Sequence, residues 1–181
     1  MSRKYKFKEA YKPYFISFAT VNWIDIFTRR LYKDILVENI NYCIEKKGLF
    51  VYAWVVMSNH VHMIIRSEDE KLENILRDLK GYSSKQLLKA IKENNRESRK
   101  EWILWHFERA GTNNGNNKKY QFWQQHNQPL VIQNINAMED RLNYIHNNPV
   151  KAGFVDDAID YPYSSAVDYN DGMGKINICK P

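Results

Sequence analysis

Cysteine is scarce in this sequence, and its placement excludes two kinds of site. The 181 residues include two cysteines, Cys43 and Cys179, which lie far apart and match no metal-ligand spacing. We therefore expect free thiols in a reducing compartment, and neither a disulfide framework nor a cysteine-based zinc site.

Long apolar runs are also absent. No stretch approaches the roughly 18 apolar residues that a membrane span needs, and the basic N-terminal segment is not followed by the apolar run of a signal peptide. The chain has no internal repeat and no linker long enough to divide it. We expect a soluble, cytoplasmic protein with no membrane partner, in which residues 1–181 form a single domain.

The composition is basic and aromatic. The net charge is +6 and aromatic residues make up 14% of the chain, a combination typical of surfaces that follow phosphates and stack unpaired bases. Hydrophobic residues reach 44%, which is enough for a packed core. Because many basic proteins bind no polyanion and many aromatic rings lie in cores, composition alone does not establish nucleic-acid binding.

Hydrophobic periodicity predicts the element order β-α-β-β-α-β-α. Predicted strands cover residues 14–21, 49–57 and 60–66, with 120–123 and 129–132 as short candidates for the last one. Predicted helices cover residues 27–47, 71–92 and 136–147, the last of which Pro149 ends. This order indicates an α+β fold of the ferredoxin-like, split βαβ type, with helices on one face of an antiparallel sheet plus a C-terminal helix. Such folds host many activities, so the order by itself assigns none.

An insert over residues 94–119 interrupts this order. It mixes charged residues with tryptophans and then becomes rich in asparagine. We predict a helical piece followed by an exposed loop over 111–119, and we assign the insert no function. Just beyond it, Tyr120 and Trp123 are candidates either for stacking on bases or for the core.

Two histidines stand two positions apart on the predicted hairpin. Because side chains alternate across a strand, His60 and His62 point to one face and Val61 points to the core. Two neutral imidazoles on one face can chelate one divalent ion. No acidic residue nearby completes a tetrahedral zinc site. A bare His-x-His pair is more often an ordinary pair of hairpin histidines, so the spacing alone leaves both alternatives open.

A second group of polar residues lies on the last predicted helix. Tyr144 and Asn148 are four positions apart and therefore share one helix face. Since we expect Pro149 to end the helix, the amide oxygen of Asn148 would be free to act as a ligand. A lone helical tyrosine is most often a packing residue, so this pattern does not by itself identify a nucleophile.

Three segments together resemble a known family. They read WVVMSNHVHMII over 54–65, YIHNNPVKAGFV over 144–155 and YPYSSA over 161–166. These segments are similar to the single-tyrosine HUH transposases of small insertion sequences, and in particular to the REP-associated tyrosine transposases. HUH denotes two histidines around a bulky hydrophobic residue, here His60-Val61-His62. The resemblance extends from about Tyr14 to Tyr169, nearly the whole chain.

The resemblance implies a metal-assisted DNA transposase and endonuclease. It would cleave and rejoin single-stranded, hairpin-bearing DNA through a 5′-phosphotyrosine on Tyr144. His60 and His62 would bind the metal, with Asn148 as a third ligand where insertion-sequence relatives have a glutamine. Such ligands suit Mg²⁺ in the cell, with Mn²⁺ as a substitute. Relatives from insertion sequences are dimers and the REP-associated branch can act alone, so a homodimer stays an open alternative.

Basic side chains are candidate contacts to DNA phosphates, although a run of charges is more often only a solvated surface. The candidates are Arg3, Lys4, Lys6, Lys8, Lys118, Lys119 and Lys151.

Two other functions are compatible with the sequence. One is a non-catalytic ferredoxin-like protein that binds single-stranded nucleic acid. RNA-binding sheets of this architecture expose aromatic residues where this chain has histidines, which argues against it. The other is an inactive transposase remnant, against which the retained His60, His62 and Tyr144 argue.

Overall fold

A four-stranded antiparallel sheet forms the centre of the molecule. In this computed structural model, the described residues are 7, 9, 11–68, 71–115, 119–125 and 127–180. The strands, in the spatial order β2-β3-β1-β4, are β1 (Tyr14–Ala19), β2 (Leu49–Val56), β3 (His60–Ser67) and β4 (Leu130–Val131). Each neighbouring pair is antiparallel.

The connection from β1 to β2 is helical and skips one strand. Helix α1 (Arg30–Lys47) makes this connection, and β3 lies between the two strands, which is the split βαβ arrangement. Gly48 ends α1 in the left-handed conformation, with φ of 64°, so that β2 can begin at the next residue. Helix α2 (Leu72–Glu93) follows β3. The predicted α+β, ferredoxin-like fold is confirmed.

The insert contains a further helix, α3 (Lys100–Thr112), which buries Ile103 and Phe107. The expected exposed loop does not begin at Gly111, because this residue is a buried part of α3 packed against the backbone of Lys119. A side chain at position 111 would collide with that backbone, which explains the glycine. Residues 116–118 of the predicted loop lie outside the described residues.

Helices α1 and α2 cover one face of the sheet. Phe18 and Val61 are cross-strand neighbours on this face, and both are buried. Lys80 of α2 places its ammonium nitrogen 5.6 Å from the centre of the Phe18 ring, and α1 packs against α2 on the same side. The fully buried Trp54 and Met63, neighbours across β2 and β3, add to this core.

The opposite face carries the two histidines and is covered by helix α4 (Ile135–Lys151). Phe15 of β1 lies on this face, and the guanidinium of Arg141 on α4 is 5.1 Å from the centre of its ring. Ile145 points inward from α4 and is fully buried. The helix that bears Tyr144 therefore packs beside the histidine face.

Pro149 does not end α4, so this part of the sequence-based prediction is wrong. The helix continues to Lys151 and ends where Gly153 adopts φ of 71°. Proline lacks the backbone donor of an ordinary helical residue, so α4 forgoes one i to i−4 bond at Pro149 and continues for only two more residues. Carbonyl groups at the end of the helix are satisfied by residues beyond it; for example, the amide of Phe154 donates to the carbonyl of Pro149 at 2.9 Å.

Two other predicted boundaries also shift. Helix α1 begins at Arg30 and not at residue 27, because residues 26–28 form a 3-10 turn and Arg29 is extended. Residues 120–123 do not form a strand beyond one isolated bridge between Thr20 and Trp123. The Trp123 ring instead stacks on Phe27 in the core, with centroids 5.7 Å apart, which settles its alternatives in favour of the core. Within the described part of the chain, no helix is long and apolar enough to cross a membrane.

Candidate active site

Two histidines lie side by side at the start of β3. The rings of His60 and His62 have centroids 4.8 Å apart on the sheet face covered by α4. His62 is buried and His60 is half-buried. The alternation of the strand sends Val61 into the core on the other side, as the sequence predicted.

Tyr144 of the same chain reaches this pair. Its hydroxyl oxygen lies 3.5 Å from Nε2 of His62, a contact at the outer limit of a hydrogen bond. Phe15 packs against both rings, with its centroid 5.4 Å from that of His62 and 5.8 Å from that of Tyr144. Tyr144 nevertheless stays 39% exposed.

A C-terminal strap, residues 161–166, holds α4 in this position. The hydroxyl of Ser165 lies 2.9 Å from Nε2 of His146 on α4, and it accepts a hydrogen bond of 3.0 Å from the amide of Trp54 on β2. Tyr161 donates its hydroxyl to a main-chain carbonyl of β2 at 2.8 Å. The strap therefore joins the edge of the sheet to the helical turn that carries Tyr144.

Replacing Ser165 should destabilise the protein. In Ser165→Ala the buried Trp54 amide and the His146 ring lose a shared partner, so we expect the free energy of unfolding to fall by about 1–3 kcal/mol. Denaturant unfolding measures this. Ser84→Ala is the matched control, because its exposed hydroxyl bonds only to the nearby Gly81 carbonyl. Equal midpoints for the two variants would contradict the role of the strap.

The orientation of His60 is fixed by Asn59. The amide nitrogen of Asn59 donates to the carbonyl of Trp23 at 3.0 Å, which leaves its oxygen facing Nδ1 of His60 at 2.7 Å. Since an amide oxygen only accepts, Nδ1 of His60 carries the proton and Nε2 presents a lone pair. This is the tautomer that a metal ligand requires.

Burial keeps the site histidines neutral. Burial lowers the pKa of His60, and burial together with the neighbouring His60 lowers the pKa of His62 to about 3. His146 beneath the strap behaves similarly, because burial lowers its pKa to about 4. At neutral pH His60 and His62 are therefore uncharged imidazoles, the form that can ligate a cation.

Asn148 lies one helical turn beyond Tyr144 and is half-buried. It stands inside α4 and not at its end, since its carbonyl accepts a hydrogen bond from Ala152 at 3.0 Å. Among the residues that the structure describes, no group of three or more histidine, cysteine or acidic side chains could hold a metal. The role of Asn148 as a third ligand stays a prediction.

The candidate DNA contacts are placed only in part. Lys119 and Lys151 are exposed, and Lys119 pairs with Glu108 at 3.5 Å. Tyr120 is half-buried, with the Lys92 ammonium 4.5 Å from its ring centre. The remaining candidates lie outside the described residues: Arg3, Lys4, Lys6, Lys8 and Lys118.

A comparison with known protein families shows which family this chain belongs to. Residues 13–121 match the model of the family described as Transposase IS200 like. The chain belongs to this family. The matched segment contains His60 and His62, but it ends before α4, so family membership does not by itself identify Tyr144.

One solved transposase structure shares this fold, and a second is less similar. A REP-associated tyrosine transposase bound to a REP hairpin is 19% identical, with a TM-score of 0.66 over 99% of this chain and 93% of that one. A putative transposase from Deinococcus radiodurans R1 is 18% identical, with a TM-score of 0.44 over 81% of this chain and 97% of that one. No curated protein matches the sequence of this chain.

Two further residues of this transposase face the site and were missed from sequence. Arg141 lies on α4 three positions before Tyr144, over the ring of Phe15. Helical spacing places Arg141 and Tyr144 on one face, so the pattern could have revealed it. Phe15 gave no such signal, because its alignment with the histidines depends on the pairing of β1 with β3.

The candidate site is not part of either of two grooves in the structure. A groove of about 740 Å³ lies between α1 and α2, and one of about 600 Å³ lies between α2 and residues 120–125 with Asn127. Neither groove is lined by His60, His62 or Tyr144. Small-molecule enzymes usually enclose their substrates in a pocket. An exposed tyrosine beside two imidazoles is better suited to a long polymer that lies across the surface.

Proposed function

We propose that this transposase cleaves and rejoins single-stranded, hairpin-bearing DNA through a covalent link to Tyr144. One observation carries the proposal: the Tyr144 hydroxyl lies 3.5 Å from Nε2 of His62, while the residue as a whole is 39% exposed. A packing tyrosine would bury its ring and hydroxyl together, whereas this one presents its oxygen at the candidate metal site.

The proposed reaction exchanges one phosphate ester for another. The oxygen of Tyr144 attacks the phosphorus and forms a 5′-phosphotyrosine, while the bond from phosphorus to the 3′ oxygen breaks. The phenolic proton passes to solvent, and the departing 3′ oxygen takes up a proton to become a hydroxyl. In the return step a DNA 3′-hydroxyl attacks the phosphotyrosine and releases Tyr144. The ester retains the bond energy, so rejoining needs no nucleotide cofactor.

The residues around Tyr144 fit a divalent cation. Both imidazoles are neutral, and His60 presents Nε2 as a lone pair. Among the described residues, none hydrogen-bonds to the buried Nδ1 of His62. His60 and His62 would hold Mg²⁺ or Mn²⁺, with the amide of Asn148 as the proposed third ligand. A bound ion supplies a positive charge that stabilises the phosphate in the transition state. Arg141 supplies a second positive charge from α4.

One chain provides both the tyrosine and the histidines. Tyr144 and His62 of the same molecule are in contact, so the proposed reaction needs no second copy. A homodimer that exchanges α4 between copies stays a separate hypothesis.

Hairpin DNA is the proposed partner because of the charge of the chain and the hairpin carried by the structurally similar transposase. We expect tighter binding to a hairpin with flanking single strand than to a blunt duplex of equal length. Binding should weaken as the salt concentration rises, because the counterions released from the DNA then contribute less free energy. For about three phosphate contacts, the affinity should fall roughly twentyfold between about 50 and 200 mM salt. Fluorescence anisotropy at fixed ionic strength measures both effects. Equal affinity for the blunt duplex would count against this partner.

The proposed function is tested by trapping the link itself. The protein is incubated with a hairpin-bearing single strand and Mn²⁺, and a protein–DNA adduct is sought on a denaturing gel. An adduct separates catalysis from the two alternatives, a binding-only protein and an inactive remnant, since neither forms one.

A further inference from the structure

An aromatic stripe runs along the exposed side of α3. Trp102, Trp105, His106 and Arg109 occupy positions i, i+3, i+4 and i+7, which form one face of a helix. The His106 ring touches both tryptophans, with centroids 4.5 and 4.7 Å away. The guanidinium of Arg109 lies 5.1 Å from the centre of the Trp105 ring. These four residues are called the α3 stripe below.

The stripe is not needed to pack α3. The helix buries Ile103 and Phe107 on its other side, whereas Trp102 and Trp105 remain 49% and 52% exposed. Two large aromatic rings left adjacent in water carry an energetic cost, and such exposed patches usually mark binding surfaces.

The stripe extends to the candidate active site through residues 22 and 23. The side-chain amide of Asn22 lies 3.4 Å from Nδ1 of His106. The next residue, Trp23, is 57% exposed, and its ring stands edge-on to His60 with centroids 5.9 Å apart. Exposed rings therefore lead from the α3 stripe to the first candidate metal ligand.

The backbone around Trp23 is held in an unusual conformation. Asn22 and Trp23 have φ of 54° and 55°, in the left-handed region that a bulky side chain such as tryptophan rarely adopts. The turn is fixed by the bond from Asn59 to the Trp23 carbonyl and by a 2.7 Å bond from the Thr20 hydroxyl to the Ile24 carbonyl. Such strain persists where the surroundings enforce it, often at functional sites. Here it keeps the Trp23 ring in water beside His60.

We propose that Trp23 and the α3 stripe stack against unpaired bases of the single strand that flanks the scissile phosphate. Aromatic rings beside a cationic side chain are the features of single-strand binding surfaces, because each base has a face that can stack. Arg109 supplies the cation, and the acidic neighbour Glu108 is paired with Lys119. A duplex hides its base faces, so the occupant must be unpaired. This inference rests on the proposed function, because it takes the scissile phosphate to lie at His60.

The test uses hairpins with a single-stranded extension of about eight nucleotides, within the usual span of single-strand sites, on either the 5′ or the 3′ side. Matched extensions without bases keep the phosphate charges. We expect the double variant Trp102→Ala, Trp105→Ala to bind one of the two base-bearing hairpins at least about tenfold more weakly than the unaltered protein. Its affinity for the abasic hairpins should be unchanged.

The matched control is the pair Tyr42→Ala and Tyr82→Ala. These rings are similarly exposed, at 56% and 58%, but they line the groove between α1 and α2. This variant should bind every hairpin normally. A second measurement needs no substitution: base-bearing extensions should quench the tryptophan fluorescence of the unaltered protein more than abasic ones.

Two outcomes overturn the inference: equal binding of both extended hairpins by the tryptophan variant and the unaltered protein, or equal quenching by base-bearing and abasic DNA. The adduct assay keeps this failure distinct from failure of the proposed function. If the tryptophan variant binds normally but the unaltered protein forms the adduct, only the stacking surface is wrong. If the variant loses base-dependent binding but the unaltered protein forms no adduct, the surface stands and the catalytic proposal fails.

Discussion

Tyr144→Phe should abolish adduct formation while leaving the protein folded and able to bind DNA. The substitution removes one oxygen and keeps the ring, so the packing of Phe15 and His62 around it is retained. Without the hydroxyl no ester can form, and we expect cleavage to fall by more than about a thousandfold. The free energy of unfolding should change by less than about 0.5 kcal/mol, because the hydroxyl has only the weak 3.5 Å contact with His62.

The control for this prediction is Tyr82→Phe, which removes an exposed hydroxyl from α2 and should cleave normally. Cleavage is followed on a labelled hairpin strand with Mn²⁺. Mass spectrometry of the unaltered protein should place the adduct on the peptide that contains Tyr144. An active Tyr144→Phe protein, or an adduct on another tyrosine, would show that the nucleophile lies elsewhere.

The placement of the histidines could be predicted from sequence because a strand has a period of two. That period alone sends His60 and His62 to one face and Val61 to the other, whatever the rest of the fold does. The arrival of Tyr144 at the same face is a different matter. It depends on which side of the sheet α4 packs, and the resemblance to a family supplied that information where local periodicity could not.

The elements that hold the site together could not be predicted, because they join residues far apart in sequence. Ser165 reaches both Trp54 and His146, and no spacing rule connects those three positions. The hydrogen bond from Asn59 to Trp23 similarly depends on a turn in which Asn22 and Trp23 both have positive φ. The residue types at these two positions do not predict that conformation.

Pro149 shows the opposite failure, in which a local rule was applied too strictly. The rule that a helix ends before proline reflects one lost donor and one steric clash, and α4 accommodates both at Pro149. Near the end of α4 the chain continues to Lys151 without difficulty. The same shift places Asn148 inside the helix, where its side-chain amide remains the proposed third ligand.

Replacing the histidines should remove metal binding together with cleavage. His60→Ala deletes an imidazole whose Nε2 is oriented as a lone pair by Asn59, and His62→Ala deletes its neighbour 4.8 Å away. Removing a direct ligand should weaken Mn²⁺ binding by at least about a hundredfold, more than is usual for outer residues of a metal site. Calorimetric titration with Mn²⁺ measures the affinity, and cleavage should fall in parallel while DNA binding is largely kept.

His62 is buried against Phe15, so its alanine variant leaves a cavity, and His62→Leu is needed as a second variant that fills the space. His106→Ala is the control for the titration, because it removes an imidazole on α3 that is not a candidate ligand, and it should leave Mn²⁺ affinity unchanged. Mixing His62→Ala with Tyr144→Phe then tests the arrangement within one chain. Because the two side chains meet in one molecule, the mixture should stay inactive. Restored cleavage would mean that α4 is exchanged between copies, and unchanged Mn²⁺ affinity in the double variant His60→Ala, His62→Ala would remove the metal site.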